Sequence, residues 1–147
     1  MNAMEPFPHH YTVVAHAESE GDVALESAGL PALVSAGPAE FGGPGDRWSP
    51  ETLLVAALGD CFILTFRAVA RASKLPWSSL RVEVEGTLDR VERATQFTGF
   101  RVRASLEVPA GTDEALAHRL LEKSERGCLI SSSLKGSVHL EASIEVA

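Results

Sequence analysis

Residues 48–66 read WSPETLLVAALGDCFILTF. Ser49 is a good N-cap, Pro50 suits the first helical position and Glu51 complements the positive end of the helix dipole, so a helix is expected to begin at Pro50. Pro76 disfavours helix in the residue before it, which sets the end near Lys74. From Pro50 to Ser73 such a helix is about 36 Å long, apolar on most of its circumference and therefore expected to be central to the fold. Asp60 and Cys61 stand side by side in its middle. Asp60, Arg67 and Arg71 recur at helical spacing and form one polar edge, with Cys61 beside it. A cysteine there is either a small core hydrophobe or a reactive thiol, according to its surroundings.

The flanking sequence changes period. YTVVAHAE, DVALES and PALVSA, within residues 11–36, are short and partly alternating, with turn signals at Glu20-Gly21-Asp22 and Gly29-Leu30-Pro31. They read as an antiparallel meander. Residues 36–46, AGPAEFGGPGD, are rich in glycine and proline and read as a loop. LRVEVEGTLDRVE and FTGFRVRASLEVP alternate apolar and polar residues and predict two strands, with Arg93-Ala94-Thr95-Gln96 as the hairpin link. Thr112-Asp113-Glu114 opens a second helix that Arg126-Gly127 closes, a short helical segment is expected after Cys128, and SVHLEASIEVA is a closing strand. The class is α+β in a single domain, residues 1–147.

Composition excludes several functions. Thirteen Lys and Arg against 20 Asp and Glu give a net charge of −7, which argues against a nucleic-acid partner. The two cysteines, Cys61 and Cys128, are too few and too far apart for a disulfide framework or a zinc ribbon, and no His pair has metal-ligand spacing. The start of the chain, MNAMEPFPHHYT, has no basic segment followed by an apolar run, so a cytoplasmic, reducing location is expected. Asp60 and Arg67 interrupt the most apolar stretch, so no membrane span is expected. An apolar helix of this length cannot be covered by the remaining helices of one short domain, which predicts an obligate dimer with that helix near its centre.

With SPETLLVAALGDC (residues 49–61) and CLISSSL (128–134), the order of elements resembles the OsmC/Ohr family, the osmotically induced protein C and organic hydroperoxide resistance proteins. Its members carry a Pro-Glu pair at the head of a long helix, a cysteine further along it, and a second cysteine in a Cys-Pro-x-Ser-like motif. Here these match Pro50, Glu51, Cys61, Cys128 and Ser131. The resemblance implies an intertwined homodimer with active sites between the subunits, in which Cys61 attacks a small organic hydroperoxide and Cys128 resolves the product. An external thiol reductant would regenerate the pair, and no cofactor or metal is implied.

Two departures matter. Family peroxidases use an arginine from the N-terminal strands, whereas residues 1–46 contain none. Arg47 is the first substitute, since it immediately precedes the helix carrying Glu51; Arg67, Arg126, His9, His10 and His16 are others. Leu129 stands where the family has proline. Without a cation, Asp60 and Glu51 would be expected to raise the Cys61 pKa. Cys128, close after a glycine at a helix start, gains thiolate character from the helix N-terminus on one reading and is core packing on the other. Glu51 either complements the dipole alone or acts on Cys61 across a subunit boundary, because ten residues along one helix span about 15 Å. Trp48 and Phe62 either line an apolar substrate pocket or pack in the core. The two leading functions are a thiol peroxidase and a non-peroxidatic small-molecule-binding protein of the same fold; a structural protein with two core cysteines is the third.

Overall fold

The computed structural model describes residues 4–147. Its contacts divide the chain into two units, one ending at Leu53 and one running from Leu54 to Ala147, each with its own three-stranded sheet. In the first, β1 (Val14–His16), β2 (Val23–Glu26) and β3 (Leu33–Ser35) form the expected antiparallel meander in the order β1-β2-β3. One turn of 3-10 helix, Ala39–Phe41, interrupts the glycine-rich loop. The chain then returns to β3 through a bond from the Ala36 N–H to the Trp48 carbonyl, 2.9 Å.

Helix α1 (Pro50–Ala72) begins where the capping residues place it. The Thr52 N–H donates to Ser49 Oγ at 3.2 Å and the Ser49 N–H to Thr52 Oγ1 at 2.9 Å, a reciprocal cap that satisfies two end donors. At the other end the Leu75 N–H reaches the Ala70 carbonyl (3.0 Å) and the Lys74 N–H the Arg71 carbonyl (3.2 Å). Lys74 is left-handed there, φ 55°, in a Schellman termination.

The second unit holds the rest of α1 and β4 (Ser79–Val91), β5 (Ala94–Val108), α2 (Glu114–Gly127), α3 (Leu129–Ser132) and β6 (Ser137–Val146). The β4-β5 link is tighter than the expected four residues. Glu92 and Arg93, at φ 50° and 71°, turn the chain alone, and Ala94, Thr95 and Gln96 already pair with Val91, Arg90 and Asp89. Two positive φ values match the strand twist, and the absence of a glycine there hid the turn. β6 lies parallel to β5, a pairing that requires a crossover, which α2 and α3 supply. Asp113 caps α2, its carboxylate accepting from the Leu116 N–H at 3.0 Å.

Alternation in the three strands puts Val82, Ala104 and Ala142 in one row and Val84, Val102 and Leu140 in the next, all on the face that meets the helices. Leu58, Phe62, Phe66 and Ala70, four residues apart on α1, are buried with that face and with Ala117, Leu120 and Leu121 of α2. Gly59 permits this approach: a Cβ on it would lie 3.1 Å from Val84 Cγ2. The opposite sheet face is charged, with Arg103 bridging Glu83 (2.8 Å) and Glu141 (3.2 Å).

One expectation about α1 needs correction. By length and composition it is apolar enough to cross a membrane despite Asp60 and Arg67, although its inward row is the core of the second unit. Burial within one chain is one-sided, as expected of a helix that one short domain cannot cover: Ala56, Asp60, Leu64, Ala68 and Arg71 are exposed. Phe66 is fully buried at the centre of the inward row. Phe66→Ala should therefore cost about 3–5 kcal/mol in urea unfolding; a loss below about 1 kcal/mol would mean that this row does not hold the unit together.

Candidate functional site

The helical period that turns Leu58, Phe62 and Phe66 inward carries Cys61 and Thr65 one step around α1, onto the flank that meets the end of α2. There Gly127 lies beside Thr65: a Cβ on it would sit 3.7 Å from Thr65 Cγ2, an ordinary van der Waals contact. Cys128 follows at once, fully buried between α2 and α3, while Cys61 is half-buried. Two thiols distant in sequence thus lie near enough for each to shift the other's pKa, and both are free.

Their surroundings set the two thiols apart. Burial works to raise the Cys61 pKa, but stabilisation of its thiolate by the Ile130 N–H, the Cys128 thiol, the Thr65 hydroxyl and the Leu129 N–H outweighs burial and brings it below the ordinary thiol value. Thr65 Oγ1 lies 3.9 Å from Cys61 Sγ and also binds the Cys61 carbonyl at 2.8 Å, which fixes its rotamer. For Cys128, burial is the largest influence and wins. The Ser131 and Ile130 N–H groups lower its pKa, but the interaction with Cys61 adds to burial, and the result lies above the ordinary value. When one of the two thiols ionises, Cys61 is the one that loses its proton first.

The Cys61 direction overturns an expectation, and the Cys128 direction decides between two readings in favour of buried packing. The acidic neighbours of Cys61 do not raise its pKa: Asp60, though adjacent in sequence, points to solvent, and the four donors that lower it are all neutral. The amides at the start of α3 act on Cys61 from across the junction, and they fail to give Cys128 thiolate character because burial outweighs them. Thr65 and the Leu129 and Ile130 amides were not singled out from the sequence. The four-residue spacing of Cys61 and Thr65 on one helix was a usable signal for the first; the amides depend on a tertiary approach.

The remaining candidates fall elsewhere. Phe62 is 1% exposed and belongs to the core, so packing and not pocket lining is its role in this chain. Trp48 is half-exposed and lines an open cleft of about 590 Å³ in the first unit, with Val34, Arg47 and Thr52. Arg47 Nε is 3.3 Å from Asp22 Oδ2, so its charge is engaged by a carboxylate. Glu51 heads α1 as expected, but its Oε1 is buried and has no partner among the described residues. Ser131 Oγ donates to Glu125 Oε1 at 3.4 Å, and Leu129 projects into solvent, 67% exposed. No cluster of His, Cys, Asp or Glu among the described residues has metal-holding geometry.

The OsmC-like protein family model matches residues 43–143, from the loop before α1 into the last strand. An uncharacterised protein of Bacillus subtilis, YmaD, is 33% identical over 145 residues, covering 94% of this chain and 96% of its own. The peroxiredoxin OsmC of Escherichia coli is 25% identical over 93 residues, 63% of this chain and 64% of the relative. Among solved structures, an organic hydroperoxide resistance protein from Legionella pneumophila superposes with a TM-score of 0.73 at 28% identity, covering 95% of this chain and all of its own. An OsmC-like protein of unknown function from Vibrio cholerae superposes with a TM-score of 0.83 at 17% identity, over 92% of this chain and all of its own, and supports the fold. The α+β architecture, the matched span and the full-length relative agree: this chain belongs to the OsmC-like family.

Proposed function

We propose that this protein is a cytoplasmic thiol peroxidase that reduces organic hydroperoxides, with Cys61 as the attacking thiol and Cys128 as the resolving one. The observation that carries this reading is the contact between a half-buried cysteine held toward its thiolate and a buried cysteine held toward its thiol. The Cys61 thiolate attacks the distal peroxide oxygen. A sulfur–oxygen bond forms, the O–O bond breaks, and the alkoxide takes a proton from solvent and leaves as an alcohol. The Cys128 thiol then attacks the Cys61 sulfenic acid, forming a disulfide and releasing water. Two electrons from an external thiol reductant restore both thiols. Leu64 and Leu129, exposed and flanking the pair in sequence, favour an apolar peroxide over hydrogen peroxide.

The working form in this reading is a homodimer. A carboxylate oxygen buried without a partner costs about 1–3 kcal/mol, and the Glu51 oxygen together with the uncovered apolar residues of α1 supports a second copy that meets them. The Arg47 ion pair with Asp22 leaves Arg47 a weaker candidate for activating Cys61 than the neutral donors are. A binding protein without peroxide chemistry is the second reading. It draws on the open cleft beside Trp48, which has the size of a small-molecule site.

Consumption of cumene hydroperoxide in the presence of a dithiol separates the two readings. Cys61→Ser should abolish it, and Cys128→Ser should turn over once and then accumulate Cys61 sulfinic acid. Undiminished turnover in Cys61→Ser would refute the assignment, and no turnover by the unmodified protein would favour the binding reading. Assembly has its own test: light scattering at micromolar concentration should give twice 15.7 kDa, and a folded monomer would contradict the dimer.

A further inference from the structure

A second cleft, of about 590 Å³, lies in the second unit where α1 ends and the chain turns into β4. Arg67 and Arg71, one turn apart, and Lys74 at the left-handed terminus line it with Pro76 and Trp77, and no carboxylate does. That is unusual in a chain with 20 acidic residues against 13 basic ones. The arginines in ion pairs among the described residues are Arg47, Arg81, Arg101 and Arg103, so the three cleft cations are unpaired. Glu107, which β-sheet pairing brings near this turn, has its carboxylate held by the Ser78 hydroxyl at 2.7 Å. Trp77 is anchored edge-on against buried Phe66, with ring centroids 5.3 Å apart at 75°.

Cations near a helix C-terminus complement the dipole, and this alone would account for Arg71. It does not account for the rest. Position 74 has φ 55°, where glycine is the usual residue because a side chain is disfavoured, yet a lysine occupies it and adds a third positive charge to the same cleft. An aromatic wall has no part in completing a dipole. Guanidinium groups and an indole lining one cleft are the complement of a flat molecule with an acidic group.

We propose that the cleft formed by Arg67, Arg71, Lys74 and Trp77 binds a small organic anion, with its flat apolar body against Trp77 and its acidic group among the three cations. The site is independent of the thiol pair and of the peroxidase reading. The probe is naphthalene-2-sulfonate, followed through the indole N–H resonance of Trp77 in proton–nitrogen spectra. The chain has two tryptophans, so Trp48→Phe assigns the signal. Saturable movement of the Trp77 resonance is expected. The affinity should weaken at least about tenfold in Arg67→Gln/Arg71→Gln, where charge-assisted bonds are lost. Lys74→Gly should weaken it as well while the melting temperature stays level or rises, because glycine suits that backbone; this variant keeps the test valid if the double variant folds poorly. Equal binding of neutral naphthalene-2-methanol would overturn the role of the cations, and equal binding of inorganic phosphate would overturn that of Trp77. Unchanged affinity in Lys74→Gly and in a folded double variant would return the three cations to a purely structural role.

Discussion

The row Leu58, Phe62, Phe66 and Ala70, buried against the sheet, fixes everything else in the second unit. Each large side chain in it is worth roughly 1.5–3 kcal/mol in burial, enough together to set the rotation of α1 about its axis. With that rotation fixed, Cys61 and Thr65 have one possible direction, toward the end of α2. Gly127, at the end of α2, lies beside Thr65, and Cys128 follows it to arrive beside Cys61. The chemistry is a by-product of helix phase: hydrophobic packing decides the angle, and the angle brings the thiols together.

That geometry also explains how an acidic protein can lower the pKa of a thiol without an arginine acting on it. Hydrogen bonds to a charged sulfur are stronger than bonds between neutral partners, and in a half-buried site they are only partly screened. Amides from α3, one hydroxyl from α1 and one thiol converge on Cys61. The same burial that these donors overcome at Cys61 prevails at Cys128. Unequal exposure gives two identical side chains opposite pKa shifts.

Much of the fold was legible because its signals are local. Ser49, Pro50 and Pro76 bracket α1, period-two alternation marks β4, β5 and β6, and Asp113 caps α2. The Glu92-Arg93 turn was missed because it uses positive φ without glycine, and the parallel pairing of β6 has no signature in one strand alone. At the site, Cys61 and Cys128 stood out by residue type, and the resemblance paired them. The direction of their pKa shifts was not legible. It depends on which amides lie opposite Cys61 and on how completely Cys128 is enclosed, and both are products of tertiary packing. Sequence proximity misled at Asp60, whose side chain leaves the helix about 100° away from that of Cys61.

The pH dependence of Cys61 alkylation in the native protein bears most directly on whether neutral donors activate this thiol. Alkylation follows the thiolate fraction, and Cys128 is enclosed, so the rate reports Cys61. Its midpoint should lie below the ordinary cysteine value of about 8.5, move upward in Thr65→Val, and stay in place in Arg47→Ala. A midpoint at or above the ordinary value, or one that moves only in Arg47→Ala, would contradict the account.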